Sequence, residues 1–389
     1  MWRNIGPEGH ETIGKPLERA GEQAVSSAED ISFETLPHPN LTSPEKRAEL
    51  MANPAFGRIA TDHMVMIHYK DGLGWHDAKV MPRGPLTLDP SAAVLHYAQE
   101  IFEGMKAFRT EDNGIAIFRP DANARRFRSS AERMAMPQLP DALFMRAVDE
   151  LVKADRDWVP SGENASLYIR PFMFANDAFL GVKPASEYLF MVIAAPVGAY
   201  FSSGAVTVWV SETYTRAAPG GTGAAKCGGN YAASLLAQAE AKAEGCDQVV
   251  FLDAVEHRYI EEMGGMNIFF VFDDGSISTP ALTGTILPGI TRDSILTIAR
   301  EKGMTVREEA YSVDQWLADA KSGRLTETFA CGTAAAVSPI GTVRSKNGGE
   351  VKISGGKGPG PVTSALREAL IGTQRGRVKD THNWVHRVC

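Results

Sequence analysis

The hydrophobic pattern divides the chain after a featureless start. Residues 1–30 show no sustained periodicity and read as a loose arm. From Thr61 the pattern turns strand-like, with the apolar run 64–67 closed by the turn residues 71–74. A short helical stretch, 92–97, follows Pro85 and Pro90. The clearest local signal comes next: a strand over 104–109, then Asp112-Asn113-Gly114, then a second apolar run over 115–118. Asn-Gly between two apolar runs predicts a hairpin, because tight hairpin turns need positive φ at their centre. Helical spacing predicts helices over 121–133 and 141–155, and two β-rich runs follow at 166–174 and 187–195.

Residues 196–204 are rich in Pro, Gly and Ser and read as the join between two domains. Beyond it strands and helices alternate. A strand at 206–210 is followed by a helix at 230–244 stopped by Gly245, and a strand at 248–252. Strands 267–272 and 276–279 flank Asp273-Asp274-Gly275, and a helix over 292–302 is closed by Gly303. The glycine-rich stretch 352–361 fits neither a Walker loop nor a dinucleotide fingerprint and reads as a loop. The expectation is an α/β chain: an arm at 1–30, a smaller α/β domain at 31–197, a linker at 198–208 and a larger domain at 209–389.

Composition narrows the partners. At 389 residues and 44% hydrophobic, the chain can bury two cores. Its 40 Lys and Arg against 47 Asp and Glu leave a net charge of −7. That argues against a nucleic-acid partner, since neutralising phosphates takes an excess of cations. Any anion must be held locally, by a few placed groups. Cys227, Cys246, Cys331 and Cys389 are scattered without a C-x-x-C pair, which argues against a disulfide framework or a structural metal and fits a cytoplasmic chain. The longest apolar run, 189–201, contains Pro196 and falls short of the roughly 20 residues a membrane helix needs.

The most unusual local sequence is the small-residue run 220–230, with Lys226 at its centre. Small neighbours let a ligand approach the backbone closely, and a lysine so placed loses hydration, which favours the nucleophilic amine. The alternative is a solvated lysine in a flexible loop. Three segments could bind an anion. Leu287-Pro288-Gly289-Ile290-Thr291-Arg292 enters a helix with Thr291 as N-cap, and its first amides would be unpaired. Residues 331–336 form a small-residue loop carrying Thr333. Any of Arg125, Arg126 and Arg128 could fork onto a phosphate. Each alone also reads as an ordinary cap, a packing corner or a solvated helix face. Glu261 and Glu262, at the mouth of an apolar strand, could pair with a protonated heterocycle nitrogen or simply be solvated.

Taken in order, the runs LHYAQEIFEGMKAF (95–108), LYIRPFMFAND (167–177), LGVKP (180–184), PVGAYF (196–201), AKCGGNYAASL (225–235), EEMGGMNIFF (261–270), ILPGITR (286–292) and CGTAAAVSP (331–339) resemble the branched-chain amino acid aminotransferases. These are pyridoxal-phosphate enzymes of fold type IV, with the cofactor in a cleft between two domains. The resemblance covers the chain from about residue 31 onward.

The resemblance implies that Lys226 links covalently to pyridoxal 5′-phosphate and moves the proton in transamination. It makes Glu262 the partner of the pyridine nitrogen and Tyr231 the partner of the 3′-oxygen. Leu287 would lie against the ring. Phosphate binding falls to Arg126, the amides of Ile290 and Thr291, and Thr333. The substrate pocket would comprise Tyr97, Phe102, Tyr168 and Tyr200, with Arg170 receiving the distal carboxylate of glutamate. Gly265 and Ala334 would meet the α-carboxylate. Val182 would reach into the partner's site, which implies a homodimer. The expected substrates are leucine, isoleucine and valine with glutamate and their 2-oxo acids. D-amino acid transamination and an aminodeoxychorismate-type lyase share the scaffold as alternatives. Some relatives carry C-x-x-C after the GTA turn; Ala335 and Ser338 stand there instead, so thiol regulation is not expected.

Overall fold

The computed structural model describes residues 31–198, 204–356 and 358–389. The arm at 1–30 and the pocket residue Tyr200 lie outside the described residues.

Two mixed sheets carry the fold. The first sheet runs, edge to edge, Phe33–Thr35, Gly74–Pro82, His63–Lys70, Glu187–Val197, Ser166–Ala175, Met105–Arg109, Ile115–Phe118 and Val385–Arg387, with Glu100–Phe102 also on Ser166–Ala175. The Asn-Gly hairpin forms as its sequence predicts: Asn113 has φ 62° and Ala107 pairs with Ile117. Helices Pro120–Arg133 and Asp141–Ala154 cover one face, burying Phe127, Leu143, Phe144, Val148 and Leu151 against Ile67, Ile117 and Phe190. Phe127, Phe144 and Phe190 meet in tilted and edge-on ring contacts, the geometry aromatic quadrupoles favour.

In the second sheet, strands Ile260–Met263, Gln248–Leu252, Val206–Ser211, Ala336–Ser345, Leu325–Gly332 and Met266–Phe272 pair in turn. Ile260–Met263 pairs again with Met266–Phe272, so the six strands close into a ring. Ile277–Thr279 and Val306–Glu308 continue the sheet beyond Met266–Phe272, and Gly349–Lys352 adds to Ala336–Ser345. Helices Ile290–Glu301 and Pro361–Gln374 pack outside it with Phe269, Phe329 and Leu366, and this cluster also takes in Phe108 and Phe118 of the first sheet. The two sheets therefore share an apolar seam. The final strand, Val385–Arg387, returns to the first sheet beside Ile115–Phe118, so the segment 209–389 is not confined to one sheet.

Three local expectations change. The helix expected over 230–244 is two pieces, Gly228–Ala232 and Leu235–Ala243. Of the glycine-rich stretch, Lys352 ends a strand, Ser354–Gly356 form a short 3-10 segment, and Pro361 opens a helix in the first-turn position that needs no amide. Thr291 is not an N-cap: Gly289 caps the helix, and Thr291 lies buried in its first turn.

Candidate active site

Lys226 sits at the seam between the sheets because its backbone is tied to the first. The Phe102 amide donates to the Lys226 carbonyl (3.0 Å), and the Lys226 amide donates to the Ser130 hydroxyl (2.9 Å). Ile101 and Cys227 form an isolated bridge. The side chain points at aromatic groups: its Nζ donates to the Tyr231 phenol at 2.9 Å and lies 4.8 Å from the Phe102 ring centre. Gly228 and Gly229, which follow, begin the helix that carries Tyr231. At Gly228 no side chain fits, since a Cβ would fall on the Glu100 carboxylate.

The Phe102 ring has a second cation against it. The Arg170 guanidinium lies 4.7 Å from its centre and donates to the Tyr168 phenol at 3.0 Å. The Arg170 Nε is buried without a hydrogen-bond partner. Tyr168 stands over Gly104, where a Cβ would collide with the phenol.

Glu262 lies in a strand, Ile260–Met263, rather than before one, and both acids are buried. Solvation of the pair is thereby overturned. The Glu262 carboxylate accepts from the Leu287 amide and pairs with Arg216 Nε at 3.2 Å. Burial pushes its carboxyl up to about 7, with Arg216 pulling the other way. Arg216 also donates to the Thr285 carbonyl at 2.8 Å, which fixes its fork. Nothing in the sequence around Arg216 marked it, because its partner is remote along the chain.

Arg126 makes a bidentate pair with Glu103, Nε to Oε1 at 2.7 Å and Nη2 to Oε2 at 2.8 Å, and donates to the Pro288 carbonyl at 3.1 Å. Asn123 donates to the same carboxylate at 2.7 Å. Burial raises the Glu103 carboxyl, but Arg126 and Asn123 outweigh it and hold it low. Glu103 thus fixes the guanidinium, a role its sequence position did not suggest. Ile290, Thr291, Thr333 and Asn123 line one small cavity. The helix there, Ile290–Glu301, presents its first amides with no intrahelical acceptor.

Two turns complete the arrangement. Gly264, at φ 58°, and Gly265 make the tight reversal between Met263 and Met266. A Cβ at Gly265 would come within 3.1 Å of the Tyr231 ring, so glycine lets the turn lie against it. Gly332 lies beside Met266, placing the turn that carries Thr333 and Ala334 next to this one.

Of the residues singled out from the sequence, the structure gathers Lys226, Tyr231, Phe102, Tyr168 and Arg170 in mutual contact, links Glu262 to Leu287, and sets Ile290, Thr291 and Thr333 together. Tyr97 joins a different group: its phenol donates to the Leu180 carbonyl, beside the 85% exposed Val182.

These groups suit a ligand with a phosphate, a basic ring nitrogen facing a buried carboxylate, and a carbonyl carbon open to an amine. No cluster of His, Cys, Asp and Glu among the described residues could hold a metal ion, and none of the described helices is long and apolar enough to cross a membrane.

The family model for amino-transferase class IV matches residues 100–343. A branched-chain-amino-acid aminotransferase of Mycobacterium tuberculosis is 54% identical over 364 residues, covering 92% of this chain and 98% of that protein. The crystal structure of the Escherichia coli branched-chain amino acid aminotransferase superposes with a TM-score of 0.69 at 31% identity, covering 83% of this chain and 99% of that one. The branched-chain amino acid aminotransferase from Thermobaculum terrenum, in its PLP-form, gives a TM-score of 0.67 at 25% identity, covering 84% of this chain and 98% of that one. A lysine tied to the first sheet beside the turns of the second, a buried carboxylate and this breadth of likeness agree: the chain belongs to the class IV aminotransferases, among the branched-chain-amino-acid aminotransferases.

Proposed function

We propose that the protein exchanges the amino group between L-leucine, L-isoleucine or L-valine and 2-oxoglutarate, with pyridoxal 5′-phosphate as cofactor. The observation that carries this reading is the shared wall: Lys226 Nζ and the Arg170 guanidinium lie 4.8 Å and 4.7 Å from one Phe102 ring. One pocket then offers an apolar surface for a branched side chain and a cation for a distal carboxylate. That is what alternating aliphatic and acidic substrates require.

When bound, the cofactor supplies a protonated ring that accepts the electron pair left on the substrate's α-carbon. Every other task falls to the chain. Glu262, held by Arg216, keeps the proton on the ring nitrogen. Lys226 takes the α-proton and returns it on the other side of the exchange, acting as general base and then general acid. Tyr231, at 2.9 Å from Nζ, orients the amine and would hydrogen-bond the cofactor's phenolic oxygen. Leu287, whose amide donates to Glu262, would hold the ring from one side. Arg126, Thr333 and the amides of Ile290 and Thr291 grip the phosphate at a helix start. The turns of Gly265 and Ala334 receive the α-carboxylate through backbone amides. Arg170 and Tyr168 receive the distal carboxylate of glutamate.

Tyr97 and Val182 fit a role across a homodimer interface, since both are exposed, as are Leu95, Phe179 and Leu180, and the Tyr97 phenol donates to the Leu180 carbonyl. The protein works as a cytoplasmic dimer in this reading. A panel of L- and D-amino acids offered with 2-oxoglutarate tests the proposal. Glutamate should form from the L-forms of leucine, isoleucine and valine and not from the D-forms; the reverse preference, or no glutamate from any, contradicts it.

A further inference from the structure

A cavity of about 330 Å³ lies beside the turn that carries Ala334, and its charge is one-sided. Lys106 enters it from strand Met105–Arg109, where its Nζ donates to the Ala334 carbonyl at 2.7 Å. Arg375, only 5% exposed, donates Nη2 to the carbonyls of Gly162 (3.2 Å) and Ala165 (2.8 Å). Its Nε is buried with no hydrogen-bond partner. Arg367 adds a third cation from helix Pro361–Gln374. Among the described lining residues the one carboxylate is Glu163, and it pairs with Arg377 at 3.1 Å.

The cations are therefore short of counter-charge. Burial, with Arg375 nearby, pushes the Lys106 ammonium down to about 8, and burial also lowers the Arg375 guanidinium. Cations reach the cavity from two elements, a strand of the first sheet and the C-terminal helix, and the apolar Phe108, Val337 and Ile371 also line it. A compact phosphate would neutralise such a space without filling it, and two carboxylates on a short carbon spacer match it better. The volume lies within the usual range for small-molecule sites.

We propose that this cavity binds a small organic dicarboxylate, at a subsite that adjoins the transamination pocket at the Ala334 turn and is not built from Arg170. Lys106 joins the two, since the ammonium that would meet the ligand also holds the Ala334 carbonyl.

Succinate is the probe, titrated calorimetrically into the full-length, pyridoxal-phosphate-loaded protein. The host is Arg170→Gln, chosen on the assignment of Arg170 to the substrate pocket so that succinate binding there is suppressed. The readout is binding, so it does not depend on turnover. The host should retain a succinate site, and adding Arg375→Gln or Arg367→Gln should weaken it fivefold or more. Arg367 is less buried than Arg375, so its variant decides the matter if Arg375→Gln does not fold. A host that binds no succinate, or added substitutions that weaken binding less than fivefold, overturn the proposal.

Discussion

Arg216 Nε lies 3.2 Å from Glu262 Oε2, with both side chains buried. The same arginine reaches the carbonyls of Gly223 and Thr285, so it ties the loop leading to Lys226 to the strand that carries Glu262. Removing one partner of such a pair strands the other charge.

The burial of Glu262, opposed by Arg216, sets a pH dependence in the cofactor-free protein. The Glu262 carboxyl is raised to about 7, so the folded chain holds this proton more tightly than the unfolded chain. The resulting stability is full below about 4.5 and falls as pH rises toward 7, by up to about 3 kcal/mol. Urea unfolding at pH 5 and pH 8 should show the fall in wild type, and Glu262→Gln should remove this contribution. The same variant should lower turnover at least tenfold.

The Glu103–Arg126 pair should behave as one unit. Breaking a buried pair costs about 3–5 kcal/mol. Glu103→Gln and Arg126→Gln should each lower stability by an amount in that range, and the double variant should lose clearly less than the sum. Denaturant unfolding of the four proteins measures the coupling. Glu103→Gln should also raise the pyridoxal phosphate concentration needed for half-maximal activity.

Arg170 should separate the two half-reactions. A charge-assisted hydrogen bond is worth about 1.5–3 kcal/mol, or about 10- to 150-fold. Arg170→Met should raise KM for glutamate and 2-oxoglutarate by that factor while leaving KM for L-leucine within threefold. Steady-state kinetics in both directions reads the difference.

His63 supplies a structural pH term of opposite origin. Its Nδ1 lies 2.7 Å from Asp155, and that hydrogen bond raises its pKa against the effect of burial. The stabilisation is therefore complete below the unfolded value of about 6.5 and is lost as pH rises through the higher folded value. The stability gap between wild type and His63→Gln should be widest at pH 6 and narrow toward pH 9.

What could be read from the sequence was local. The hairpin around Asn113 and the helix now seen at Pro120–Arg133 follow from turn chemistry and spacing that a short window contains. The break after Ala232 could not be read this way, because the apolar residues continue through it in helical spacing. Thr291 looked like a cap because threonine prefers that position, yet the extended backbone of Gly289 takes it. The site residues came from family likeness, and their partners did not. Arg216 and Glu103 act on residues 46 and 23 positions away, at distances only the fold closes.

In the proposed reaction the amino-group exchange depends on Lys226. ¹⁵N-labelled L-leucine, incubated with 2-oxoglutarate, pyridoxal phosphate and enzyme, tests it directly. Wild type should place the label in glutamate, and Lys226→Ala should do so at least a thousandfold more slowly. Transfer by Lys226→Ala within tenfold of wild type, or no transfer by wild type, would contradict it.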